Sequence, residues 1–137
     1  MQDSVDDALL RGYNDVPYTS APEPARHPER LATLGTLLGL DVAPIATCRV
    51  LELGCGDGAN LVPMAASYPR GRFVGIDLSD RLVAIARALA EGAGIPNVTL
   101  LQGDVGTLPS RVGAFDVIVA HGFYSWVPQV VRERLLA

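Results

Sequence analysis

Cysteine is scarce in this chain of 137 residues, and the two present, Cys48 and Cys55, exclude a disulfide framework or a cysteine-built metal cluster. They bracket an apolar run that reads as a strand. At about 3.3 Å per residue, such a strand holds them well beyond disulfide reach. Two reduced thiols in a cytoplasmic protein are the expectation. Basic runs are also missing. The densest, Arg132-Glu133-Arg134, carries an acid in its middle, and the formal net charge is −4. The chain therefore lacks the positive footprint of a nucleic-acid binder. No apolar run approaches the roughly 18 residues of a membrane span. The acidic start, Met1-Gln2-Asp3-Ser4-Val5-Asp6-Asp7, lacks the basic and apolar regions of a signal peptide. With 49% hydrophobic and 19% charged residues the chain is built to bury a core rather than stay disordered, and its length allows one domain.

Strands and helices alternate along the sequence. Ser4 to Arg11 reads as a short helix capped by Ser4. Pro17, Pro22, Pro24 and Pro28 exclude regular structure from Gly12 to Pro28. Pro28 then suits the first turn of a helix whose apolar stripe is Leu31, Leu34, Leu37 and Leu38. Strands are expected at Arg49–Leu53, Arg72–Asp77, Val98–Gln102 and Phe115–Ala120, the last with an apolar run suited to cover on both faces. Between them lie a helix from Asn60 to Tyr68, capped by Asn60, and a second capped by Ser79. Leu82, Ile85, Ala86 and Leu89 form the expected buried face of the second. A last helix is expected from Pro128 to Leu136. The alternation implies an α/β, Rossmann-like doubly wound parallel sheet with right-handed crossovers. Such a sheet, stopping one helix after its fourth strand, leaves that strand as a bare apolar edge. The expectation is an incomplete sheet whose edge is covered by the rest of a larger chain or by a partner.

The stretch Val50-Leu51-Glu52-Leu53-Gly54-Cys55-Gly56-Asp57-Gly58-Ala59-Asn60 carries the most chemistry. A strand ends in an acid, a glycine-dense turn follows, and a helix begins. The turn lets backbone approach a small polar ligand, with helix N–H groups aimed at it. Gly54, Gly56 and Ala59 also satisfy the dinucleotide fingerprint G-x-G-x-x-G/A, so an NAD(P)-dependent oxidoreductase is a rival reading. Glu52 opposes it, because like charges at ~4 Å repel by several kcal/mol at intermediate dielectric. The same carboxylate attracts the ammonium and sulfonium of S-adenosylmethionine. Gly58 is an extra glycine, where a bulky methionine tail has room. Ligands in open parallel sheets sit beyond the carboxyl ends of the strands, and there Asp77, Asp104 and His121 follow the second, third and fourth strands. Asp77 stands about twenty residues past the turn, the spacing at which an acid accepts from ribose hydroxyls. Asp104 suits an adenine amino group, with the Val105 N–H on a ring nitrogen.

Glu52-Leu53-Gly54-Cys55-Gly56-Asp57-Gly58 resembles the first motif of class I, S-adenosylmethionine-dependent methyltransferases, and Asp77 and Gly103-Asp104 stand where those enzymes hold ribose and adenine. Tyr13-Asn14-Asp15-Val16-Pro17-Tyr18, His27-Pro28-Glu29-Arg30-Leu31 and His121-Gly122-Phe123-Tyr124-Ser125-Trp126-Val127-Pro128 are similar to segments of the bacterial members that carry a C-terminal methyltransferase regulatory domain. The resemblance implies residues 1–47 as N-terminal helices and a flap over the cofactor, and residues 48–137 as the cofactor-binding core. It implies a cofactor site of Tyr13, Glu52, Gly54, Cys55, Gly56, Gly58, Asp77, Leu78, Asp104, Val105 and His121, with no metal. Some members methylate lysines of bacterial surface proteins, so a protein or small-molecule methyl acceptor is the implied partner. No catalytic base is assigned: His121 lines the methionine end as readily as it takes a proton. A cofactor-binding module without activity of its own is the remaining alternative.

Overall fold

The computed structural model describes Gly12 and residues 21–107, 112–125 and 127–135. The helix expected at Ser4–Arg11, together with Tyr13, Tyr18 and Trp126, lies outside the described residues. The described elements are helix α1 (Pro28–Leu37), strand β1 (Arg49–Leu53), helix α2 (Leu61–Ser67), strand β2 (Arg72–Asp77), helix α3 (Asp80–Gly92), strands β3 (Val98–Gln102) and β4 (Val117–Val119), and helix α4 (Gln129–Leu135). Single 3-10 turns occur at Pro24–Arg26, Ile45–Thr47 and Val105–Thr107. The first of these interrupts a stretch expected to be irregular.

The strands form one sheet in the order β3-β2-β1-β4, and every pairing is parallel. The chain moves outward from β1 through β2 to β3, then crosses back to lay β4 on the other side of β1. That reversal makes the carboxyl ends of β1 and β4 the switch point of the sheet, where open α/β sheets bind ligands. Alternation divides the core between two faces. Val50 and Phe73 pack with Leu61, Val62, Val83 and Ala86 on one face. Leu51, Leu53, Val74 and Ile76 pack with Val105 on the other, joined at the edge by Phe123, Val131 and Leu135. Each such fully buried side chain contributes about 1.5–3 kcal/mol through removal of apolar surface from water. Cys48 and Cys55 are both buried free thiols. No helix among the described residues is long and apolar enough to cross a membrane.

Strands β1, β2 and β3 have the expected bounds, but three apolar faces differ from expectation. On α3 the buried residues are Val83, Ala86 and Ala90, whereas Ile85 and Leu89 are exposed. Small side chains face the sheet because the helix lies close to the glycine turn: a Cβ at Gly58 would stand 2.9 Å from Ala86 Cβ. On α1, Leu31 packs on the core while Leu34, Leu37 and Leu38 are exposed, and Pro28 and Gly35 are the buried positions. Strand β4 is shorter than expected and is covered on one face only. Val119 is buried, but Ile118 on the opposite face is 61% exposed; β4 is an outer strand that pairs with β1 alone.

Candidate functional site

Glu52 is the fourth residue of β1, and the pleat turns it toward the α2 side of the sheet. It is 3% exposed. Its Oε1 accepts from Asn60 Nδ2 at 2.7 Å, while its Oε2 is buried with no hydrogen-bond partner. Burial pushes its carboxyl up to about 7, against the opposing pull of the Asn60 hydrogen bond and the Arg26 charge. Asn60 therefore does not cap α2 through its side chain, and the helix begins one residue later than expected. The amide is recruited inward because a buried carboxylate gains more from a donor than an exposed helix end does. Its oxygen is used as well: Asn60 Oδ1 accepts from Glu23 N at 3.1 Å, which ties the segment before α1 to the floor of the site.

The glycine turn curls over the end of β2. Gly54 N and Cys55 N both donate to Ile76 O, at 2.8 and 3.1 Å. Gly54, Gly56 and Gly58 all have positive φ, +71°, +54° and +77°, a conformation that disfavours any residue with a Cβ. The space beside them is filled by protein. A Cβ on Gly54 would lie 2.8 Å from Phe123 Cδ2, and one on Gly58 would meet Ala86 and Val62. The missing side chain of Gly58 thus serves packing between α2 and α3, rather than leaving room for a ligand tail on that side. Cys55 is buried, and burial together with the Asp77 and Glu52 charges pushes its thiol up, so it is held as a neutral thiol.

Asp77, at the end of β2, accepts from Gly56 N through Oδ2 and from Ser79 N through Oδ1, each at 2.9 Å. The carboxylate locks the turn to β2, and Ser79 caps α3 by accepting from Leu82 N at 3.2 Å. Each carboxylate oxygen retains a second lone pair for a hydroxyl donor. Leu78 is half-buried beside it. Asp104 follows β3, is exposed, and its Oδ1 accepts from Gly106 N at 2.8 Å. Val105 is buried below it. His121 is exposed beyond β4. Tyr124 beside it lies under Arg132, 5.6 Å from the ring centroid. All the described candidates except the packed Gly58 thus gather at the carboxyl ends of four adjacent strands. Sequence reasoning overlooked Arg26, Glu23 and Phe123, and assigned Asn60 only to a helix end. The Arg26 Nε is buried and, like Glu52 Oε2, has no partner.

A parallel sheet with this strand order, a buried acid one residue before the end of β1 and a glycine turn beyond it define a Rossmann-like domain of the class I methyltransferase type. Residues 50–137 match the methyltransferase domain family, and the chain belongs to it. Two proteins of Rickettsia prowazekii are 37% identical over 123 residues and 38% identical over 124 residues, each alignment covering 90% of this chain. The chain spans 22% of the first relative and 50% of the second. The solved structure of PKMT2 from Rickettsia typhi in complex with AdoHcy superposes with a TM-score of 0.83 at 38% identity, covering 88% of this chain and 23% of that one.

Proposed function

We propose that the protein binds S-adenosylmethionine in the cleft above the glycine turn and catalyses methyl transfer from it to an acceptor nucleophile, a lysine amine of a protein. The single observation that carries the cofactor reading is the buried, unpartnered Oε2 of Glu52 beneath the turn. A buried acceptor without a donor is costly, and a ligand ammonium satisfies it where a pyrophosphate would be repelled. Family membership and the AdoHcy complex of the rickettsial relative support the same choice over a nicotinamide cofactor. The lysine acceptor rests on the resemblance of the flanking motifs.

When bound, the cofactor supplies an electrophilic methyl on a sulfonium. The chain supplies position and charge. Glu52 receives the ammonium, the turn from Gly54 through Cys55 and Gly56 offers backbone at close approach, and Gly58 sets that turn against α3. Asp77 and Leu78 hold the ribose, Asp104 and Val105 the adenine, and His121 borders the methionine end. Glu52 and Asp77 attract a cationic sulfonium more than a neutral thioether, which favours product exchange. The reading of the segment before β1 as a flap is supported, among the described residues, by the contact from Glu23 to Asn60. The exposed Ile118 on the outer strand supports a covering segment, from the same chain or from a partner. The neutral buried thiols suit a cytoplasmic location.

Isothermal titration with S-adenosylmethionine and NADH, followed by transfer of a tritiated methyl to candidate proteins, tests the proposal. Binding of the first with label on a lysine supports it in full. Binding without transfer to any acceptor leaves a cofactor-binding module and defeats the enzymatic part. Binding of NADH alone defeats both parts.

A further inference from the structure

The 3-10 turn Pro24–Arg26 is fastened to the floor of the site. Glu23 N donates to Asn60 Oδ1, and Asn60 Nδ2 donates to Glu52 Oε1, at 3.1 and 2.7 Å. This tether brings Arg26 near enough for its charge to act on the Glu52 carboxylate. No hydrogen bond closes between the two. Arg26 Nε and Glu52 Oε2 are both buried and both lack a partner. The only carboxylate in an ion pair with Arg26 among the described residues is Glu23, at a loose 3.9 Å. A buried guanidinium donor and a buried carboxyl oxygen, each left without a partner, are both costly. One ligand group satisfies both at once: an α-amino acid head, whose ammonium donates to a carboxylate while its own carboxylate accepts from a guanidinium.

We infer that Arg26 and Glu52 form a clamp for a zwitterion. Glu52 Oε2 accepts from the ammonium of the cofactor's amino-acid end, and Arg26 Nε donates to its carboxylate. The inference rests on the S-adenosylmethionine reading and adds to it a residue outside the glycine motif and a basis for specificity. The site selects ligands with an intact amino-acid head over nucleosides that lack one. The guanidinium suits the task because its planar fork matches a carboxylate in geometry as well as charge.

The test is isothermal titration of the protein and its Arg26→Gln, Arg26→Lys and Glu52→Gln variants. The probes are S-adenosylhomocysteine, 5′-methylthioadenosine and decarboxylated S-adenosylmethionine. If the unmodified protein binds none of them, the cofactor reading itself fails, and the clamp with it. Given binding, Arg26→Gln weakens S-adenosylhomocysteine about tenfold or more while the two probes without a carboxylate change by less than about twofold. Retained affinity for those two probes also reports an intact fold. Arg26→Lys falls between. Glu52→Gln weakens decarboxylated S-adenosylmethionine, which keeps the ammonium, and spares 5′-methylthioadenosine. Equal weakening of all three probes by Arg26→Gln, or no weakening of S-adenosylhomocysteine, overturns the clamp while leaving the cofactor reading intact.

Discussion

Asn60 donates to Glu52 across 2.7 Å and is the sole hydrogen-bond donor to that carboxylate among the described residues, whose other oxygen stays unpaired in the interior. A group near the start of one helix therefore controls the energetics of the acid at the centre of the site. Replacing Asn60 with Ala leaves both oxygens of Glu52 without a donor, frees Glu23 N, and opens a small void. The expected cost is about 1–3 kcal/mol of stability. Urea denaturation measures it, and a variant as stable as the parent removes the amide from this role.

The acidity of Glu52 sets a pH dependence with a definite sign. Unfolded, the carboxyl ionises near its ordinary 4.5; folded, burial holds the proton until about 7. Between those values the folded state binds more protons than the unfolded one, so this group makes stability fall as pH rises, and the loss levels off above about 7. The gap corresponds to at most about 3 kcal/mol. Comparing unfolding free energies of the parent and Glu52→Gln from pH 4.5 to 8 isolates it. The difference is expected to grow in favour of the variant as pH rises through that window. A constant difference excludes the carboxyl as its source.

Glycines in the same left-handed conformation differ in what surrounds them. Gly58 at φ +77° has Ala86 and Val62 packed where a Cβ would stand, whereas Gly94 at φ +66° has open space. Alanine at Gly94 incurs backbone strain of about 1 kcal/mol. Alanine at Gly58 adds overpacking to that strain, for a total of about 2–4 kcal/mol. Thermal melts of the two variants are expected to rank in that order. Equal melting temperatures would mean that α3 withdraws from the turn without penalty.

Where one physical signal dominates, the sequence already displayed the outcome. Strands β1 to β3 read correctly because each is a short apolar run closed by an acid or a glycine; the inner strands β1 and β2 are buried on both faces, whereas the outer strand β3 buries only Leu100. Ser79 caps α3 as expected because a serine beside a strand end has one competitive use. Periodicity failed where two faces of a helix are both apolar. On α3 the expected Ala86 is buried, but the large side chains Ile85 and Leu89 are exposed and Val83 and Ala90 are buried in their place. The exposed Leu34 and Leu37 on α1 show the same limit, because an apolar stripe does not tell what surface lies opposite. Asn60 was misread because its carboxylate partner lies eight residues earlier, across a turn whose curl only the fold reveals. Asn97 gave no sign at all, yet its Nδ2 meets the carbonyls of Ala65, Tyr68 and Gly71 within 3.2 Å and ties α2 to the start of β2.

Asp77 joins structure to binding, and two substitutions separate the roles. Its carboxylate accepts from Gly56 N and Ser79 N, so Asp77→Ala releases the glycine turn and also removes the acceptor proposed for the ribose. Asp77→Asn keeps one carbonyl oxygen for the backbone but turns the other position into a donor, which cannot accept from a hydroxyl. Alanine is expected to weaken S-adenosylhomocysteine by about 1–3 kcal/mol and to lower stability by a similar amount. Asparagine is expected to lose less stability than alanine for a comparable loss of affinity. Titration calorimetry and urea denaturation on the same preparations decide the matter. If affinity tracks stability in both variants, Asp77 acts only by holding the turn in shape; if asparagine binds as weakly as alanine while folding more stably, the carboxylate meets the ligand directly.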